Sequence, residues 1–308
     1  MINQIKSLDD KAGTDLTGEH DLGSVLERSN LNFEVEKVPV HTPEGNEVAG
    51  KYLLRRTDNN FVLGTCGKRY HIVDNEQMFA PFDSLVKEHG ATYENAGMIS
   101  HGKTCWVSAR LGDDFKVRDD SYQRRVIMLL HHNGLSRNSY FSFNNRVICN
   151  NMMGSLNSAS RKTGMGVKHT PNWEDNLTLA IEAFKESITS SNEFVTNISK
   201  LANIKMTKMN AARFAFKFFN EFRPIKAKDR TARSKTRNHT KVEELIHLFE
   251  EGMGNEGKTR YDMFNAVTEY LDHRSARGNG GHGRRFISNL NGLQAAKKRR
   301  AVKELLVA

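Results

Sequence analysis

The stretch Lys103-Thr-Cys-Trp-Val-Ser-Ala-Arg-Leu111 alternates along its length. Cys105, Val107, Ala109 and Leu111 fall on one side, and Thr104, Trp106, Ser108 and Arg110 on the other. Tyr140–Cys149 repeats the pattern, with Phe141, Phe143, Val147 and Cys149 opposed to Tyr140, Ser142, Asn144 and Arg146. A period of two predicts strands with one buried and one wetted face, as in an antiparallel sheet. Between them, Val126–Leu130 is apolar throughout and reads as a central strand. His131-His-Asn-Gly134 then supplies hairpin chemistry. Upstream, Phe33–Val40, Tyr52–Arg56 and Phe61–Cys66 read as strands, divided by the turn residues of His41–Gly45 and Asp58–Asn60. A short helix is expected at Leu22–Arg28. Another is expected from a capping Asn75 toward Glu88, with Pro81 kinking or interrupting it.

Beyond Met153 the period changes. Leu177, Ile181, Phe184, Ile188, Val195 and Ile198 predict a long amphipathic helix over 174–202. A second helix is expected from Thr207 to Phe222, before Pro224. Thr240-x-x-Glu243 and Thr259-x-x-Asp262 read as capping boxes that open two more. A last helix covers Leu293–Val307. The Gly278–Gly283 run reads as a flexible basic loop, with a phosphate-binding nest as the sharper alternative. The expected fold is therefore α+β: a β-rich N-terminal half with packed helices, then a mainly helical C-terminal half. The expected divisions are a polar, loosely ordered segment 1–30, an α+β core 31–165 and a helical basic region 166–308.

The chain has 308 residues, 38% of them hydrophobic and 27% charged, enough apolar content for a core. It lacks an apolar run of membrane-spanning length and an apolar leader at its start. Cys66, Cys105 and Cys149 form no Cys-x-x-Cys and read as buried thiols of a cytoplasmic protein. The net charge of +10 is segregated. Residues 205–241 carry 12 basic and 2 acidic groups, and residues 274–303 carry 9 basic and none acidic. Residues 242–273 between them carry 2 basic and 8 acidic groups, and residues 1–50 carry 4 and 10. Such blocks favour a polyanion, nucleic acid first. An acidic protein, a membrane surface or a merely solvated face are the alternatives.

Enzyme signatures are sparse. There is no G-x-x-x-x-G-K-[ST] loop and no H-E-x-x-H. His131 and His132 are adjacent, so on a strand they point to opposite faces. No cofactor or resident metal is implied, and a non-enzymatic role is favoured. A metal-dependent nuclease built from dispersed carboxylates stands as an alternative. Holding a phosphodiester chain needs Lys and Arg for the backbone and aromatic groups for the bases. The sheet region offers Trp106, Arg110, Arg124, Arg125, Arg137, Tyr140 and Arg146, and the following loop Arg161, Lys162 and Lys168. In a second reading, Trp106 packs under a helix and the arginines pair with Asp113, Asp114, Asp119 and Asp120. The stronger signal is Lys205–Lys241. Arg213 and Lys217 lie on its helix, and Arg230, Arg233, Lys235 and Arg237 in a segment nearly free of apolar groups, expected to order on DNA or RNA.

Gly64-Thr-Cys-Gly-Lys-Arg-Tyr-His-Ile-Val-Asp-Asn75 resembles the Gly-x-x-Gly-x-x-Tyr-x-x-x-x-Asn opening of a phage- and plasmid-encoded family of unknown function. Gly97–Leu111, His132-Asn-Gly134, Arg146-Val-Ile-Cys-Asn-Asn151 and Phe264-Asn-Ala-Val-Thr-Glu-Tyr-Leu-Asp-His273 resemble later motifs of the family, in the same order. Asn151-Met-Met153 departs from its Asn-Thr-Leu, and the 223–241 stretch is unusually basic. The strand–strand–strand–helix order of residues 103–160 is also similar to the core of phage annealing proteins of the Red-beta/RecT type. That resemblance implies an ATP-independent protein that binds and anneals single-stranded DNA in recombination or replication. It implies a homo-oligomeric ring or filament, nucleoid-associated in a bacterial host, with an exonuclease or host replication partner and no membrane. The alternative is a mobile-element protein that binds duplex DNA, RNA or a host factor without catalysis.

Overall fold

The computed structural model of the chain describes residues 13–88, 90–147, 151–154, 166–167, 169–170, 172, 174–175, 178, 193–222, 232–275, 281–290 and 292–307. The expected α+β class holds: antiparallel sheets in the N-terminal half, helices mostly in the C-terminal half. Strand β1 (Thr14–Asp15) and the expected helix, α1 (Leu22–Arg28), come first, and residues 1–12 of the segment expected to be loosely ordered lie outside the described residues. Asp21 caps α1 by accepting from the Ser24 amide. Strands β2 (Val35–His41), β3 (Glu47–Arg56) and β4 (Val62–Gly67) form a small antiparallel sheet in that order. Helix α2 (Asn75–Glu88) follows and continues through position 81, so Pro81 does not interrupt it. Asn75 does not cap it; its side chain donates to the Leu31 carbonyl at 2.6 Å, tying α2 to the segment before β2.

The large sheet is a meander of β5 (Thr92–Ile99), β6 (Thr104–Val117), β7 (Asp120–His131) and β8 (Asn138–Arg146). Cys105 stands opposite Leu130, and Met128 opposite Tyr140. β1 adds beside β5, while β9 (Asn151–Gly154) and β10 (Gly166–Val167) share the outer edge of β8. Of the strand–strand–strand–helix order expected over 103–160, the three strands are present, a further strand, β9, stands at 151–154, and residues 148–150 and 155–160 lie outside the described residues.

Both faces of this sheet are covered, which corrects the expectation of a wetted face. On one side Cys105, Val107, Ala109, Val126, Met128 and Leu130 pack with α1, α2 and the small sheet. On the other, Trp106, Ile127, Leu129 and Phe143 pack with Phe286 and Leu290. The cover on that side is a helix in the segment read as a flexible loop. The Gly278–Gly283 expectation is thereby corrected from Gly281 onward, and residues 276–280 lie outside the described residues. Each large apolar side chain so buried stabilises by about 1.5–3 kcal/mol.

In the C-terminal half, residues 174–175, 178 and 193–203 are helical, and the rest of the expected 174–202 helix lies outside the described residues. Helix α3 (Lys208–Phe222) matches the expectation to one residue. Helix α4 runs Ala232–Glu251, so Thr240 and Glu243 lie within a helix rather than opening one. Part of the stretch expected to order only on a ligand is therefore already helical. Helix α5 (Arg260–Glu269) has the expected capping box, with Thr259 and Asp262 bonding reciprocally. It continues into a π-helical turn, Tyr270–Arg274. Helices α6 (Gly281–Leu290) and α7 (Leu293–Val307) close the chain. The second core joins Phe194, Ile198, Phe214, Phe218, Leu245, Phe249, Phe264, Val302 and Leu305.

Candidate nucleic-acid interface

The sheet-region candidates are mostly consumed by the fold. Trp106 and Tyr140 are both 0% exposed, so neither can stack a base as it stands. The Trp106 ring packs on Phe286 of α6, with centroids 4.7 Å apart. Arg146 is fully buried, bridges Asp120 at 2.6 Å and donates to the carbonyls of Met253 and Gly254. Arg125 bridges Glu94 at 2.7 Å. Arg110 pairs with Asp114 at 2.6 Å, and Arg124 lies over the Phe115 ring. For Trp106, Tyr140, Arg125 and Arg146 the packing-and-pairing reading holds, because the elements packed on the two faces of the sheet bury them, whereas Arg110 and Arg124 stay partly exposed. A buried guanidinium requires a carboxylate partner. Arg137 is exposed in the β7–β8 turn. Arg161, Lys162, Lys168 and Arg230 lie outside the described residues. Arg233, Lys235 and Arg237 lie on α4, with their side chains outside the description.

Arg213 and Lys217, in contrast, are exposed and line a cleft of about 610 Å³. Met206, Phe214 and Leu305 form its apolar floor, and Lys205, Arg213, Lys217, Arg260 and Lys303 its cationic wall. Asn210 adds a neutral polar group. Glu304, the one carboxylate in the lining, is engaged by Arg300 at 2.6 Å and Lys217 at 3.9 Å. Arg260 donates to the Leu305 carbonyl at 2.7 Å, capping the end of α7. Lys205, Arg213 and Lys303 make no ion pair among the described residues.

Local structure holds this wall in place. Thr207 accepts from the Asn210 amide and starts α3 at the cleft edge. Ala211, Phe214, Ala215 and Phe218 form the buried stripe, which turns Arg213 and Lys217 outward. The Met206 amide donates to Lys258 O at 2.8 Å, and the Arg260 amide to Ile204 O at 2.9 Å. These bonds pin the start of α3 beside the start of α5. Two helix N-termini thus add their partial positive charge to the same wall. Sequence reasoning missed Lys205, Arg260 and Lys303 as partners of Arg213. The signal for Lys303 was present in its basic block, but Lys298 of that block is buried and bridges Asp272 at 2.5 Å.

The Gly64–Asn75 motif serves a joint between the two sheets. A Cβ on Gly64 would stand 2.3 Å from Asn133 O, and one on Gly134 2.1 Å from Thr65 O. Gly134 also has φ +73°. The β7–β8 turn can therefore seat on β4 only through two glycines. His132 lies beneath it, its Nε2 2.8 Å from Asn75 Oδ1. Because the Asn75 amide nitrogen donates to Leu31, its oxygen accepts, and His132 carries its proton on Nε2. Burial pushes His132 down to about 3 and His131 down to about 4, with neighbouring His169 adding to both. His169 stacks on Tyr70 at 4.5 Å and meets Asn138 Oδ1 through Nε2 at 3.1 Å. Cys66 and Cys105 are buried free thiols, as expected, and Cys149 lies outside the described residues.

Among the described residues no group of three His, Cys, Asp or Glu is placed to hold a metal ion. Among the same residues no helix is long and apolar enough to cross a membrane. No curated protein and no solved structure matches the chain. A family model does match, over residues 62–303, which takes in the glycine joint, strands β5 to β8 and the cationic wall of the cleft. The chain belongs to the family described as Domain of unknown function (DUF932).

Proposed function

We propose that the protein binds single-stranded DNA through the cleft between α3 and α7, without ATP, and brings complementary strands together in recombination or replication. The observation that carries the binding step is convergence. Two basic blocks separated in sequence by an acidic one meet at a single wall, Lys205, Arg213 and Lys217 from the first and Lys303 from the second. A wall of five cations with one engaged carboxylate suits a chain of phosphates. The annealing step is the finer part of the proposal. It draws support from the sequence resemblance of residues 103–160, of which the β6–β7–β8 order is present. In this reading the protein works as a homo-oligomer at the bacterial nucleoid, beside an exonuclease or replication partner of a phage-type element.

Fluorescence anisotropy with a labelled 40-mer, single-stranded and duplex, tests the binding step. The expected result is tighter binding of the single strand. Preference for duplex or for RNA would move the reading to the non-catalytic mobile-element alternative. A two-strand annealing assay without nucleotide tests the second step. Annealing no faster with protein than without it would remove that step while leaving binding intact.

A further inference from the structure

Helix α3 exposes two large apolar side chains beside the cleft: Met209 is 65% and Phe216 64% exposed. They are not stray residues at opposite ends of the surface. Met209, Arg213 and Phe216 follow an i, i+4, i+7 spacing and lie on one stripe. The ends of that stripe are about 10 Å apart at 1.5 Å per residue, roughly the rise of three stacked nucleotides at 3.4 Å each. Arg213, in the middle, is also part of the cationic wall. A strand whose phosphates follow the wall would therefore carry its bases along the stripe.

We infer that Met209 and Phe216, with Arg213 between them, stack the unpaired bases and so set the preference for single strands over duplex. The inference rests on the nucleic-acid reading of the cleft. Charge alone does not separate the two forms, because both present phosphates. In a duplex the faces of the bases are covered by their neighbours, whereas a single strand offers them to an aromatic ring or a guanidinium plane. The charge around the stripe selects this occupant over an ordinary apolar partner. Lys205, Arg213, Lys217 and Lys303 line the adjoining cleft, and its one carboxylate, Glu304, is engaged by Arg300 and Lys217.

The test uses the full chain with Phe216→Ala, Met209→Ala and Phe216→Trp. The probes are a single-stranded 40-mer, its duplex, and a 40-mer of abasic tetrahydrofuran units that keeps the phosphates. Phe216→Ala should weaken single-strand binding between about fivefold and a hundredfold, the loss of one base stack. Duplex and abasic affinity should stay within twofold. Phe216→Trp should keep the affinity, and its added emission should be quenched by the normal strand and not by the abasic one. Thermal denaturation should be unchanged, since the side chains are exposed. Single-strand affinity untouched by Phe216→Ala, or an equal loss on the abasic probe, would overturn the stacking role while the cleft still bound phosphates. A wild-type protein that binds none of the three probes would fail the cleft reading itself.

Discussion

Arg146 on β8 and Arg213 on α3 both sit at positions where periodicity marks the polar side of an element, and they end in opposite surroundings. Arg146 is fully buried, held by Asp120 and two carbonyls, with the Tyr261 ring 5.7 Å from its guanidinium. Arg213 is exposed beside four other cations. The same division separates Trp106, sealed under α6, from Phe216, which stands in solvent. The comparison teaches that alternation reports a difference between two faces, not which face meets water. In the sheet half arginine and aromatic groups join layers together. In the helical half the same residue types remain available to a ligand.

The comparison breaks most readily at Arg146. Arg146→Ala leaves Asp120 and the Tyr261 hydroxyl in a buried site without the guanidinium, and should cost about 3–5 kcal/mol in urea unfolding. Arg213→Ala should stay within about 0.5 kcal/mol of wild type in the same experiment. A stable Arg146→Ala protein that had lost nucleic-acid affinity would reverse the assignment of the two halves.

Acid sharpens the account of the joint. His131 and His132 are neutral in the fold, with folded values of about 4 and about 3, below the ordinary 6.5. Between those values and 6.5 the unfolded chain binds more protons than the folded one. Stability should therefore fall as pH drops from about 6.5 toward 4 and 3, by on the order of 3 kcal/mol for His131 and 5 kcal/mol for His132. His132→Gln, which keeps a donor for Asn75, should flatten that limb of the stability–pH curve. An unchanged limb would show that the joint takes up protons without opening. Gly134→Ala comes next, at about 2 kcal/mol, because it combines φ +73° with a Cβ 2.1 Å from Thr65 O. Equilibrium unfolding of the alanine variant measures it, and a neutral result would mean the turn can lift off β4.

Much of the fold was legible because local signals agreed with the tertiary result. The hairpin strands, α1, the capping box of α5 and the span of α7 follow from periodicity and caps. What was not legible depends on contacts distant in sequence. Val126–Leu130, apolar on both faces, implies two covers, and the register that sets Trp106 opposite Leu129 places that ring under the second one. The cover itself, α6, begins in a glycine-rich run whose helix propensity is poor and whose stability comes from Phe286 and Leu290 against the sheet. For the site, Arg213 and Lys217 were readable from the helix phase, whereas the exposure of Phe216 emerged only with the fold. The pairing of that wall with Lys303 was not, because 86 residues of sequence number separate Lys217 from Lys303 and only the fold joins them.

The most direct measurement is the slope of log affinity against log salt concentration for a single-stranded 40-mer. It should be taken for wild type and for a Lys205→Ala, Arg213→Ala, Lys303→Ala triple variant. Each phosphate contact on a single strand contributes about 0.7 to that slope, so the triple variant should be shallower by about 2 with its unfolding midpoint unchanged. A slope that does not move, in a variant that remains folded, would contradict the claim that this cleft holds the nucleic-acid backbone.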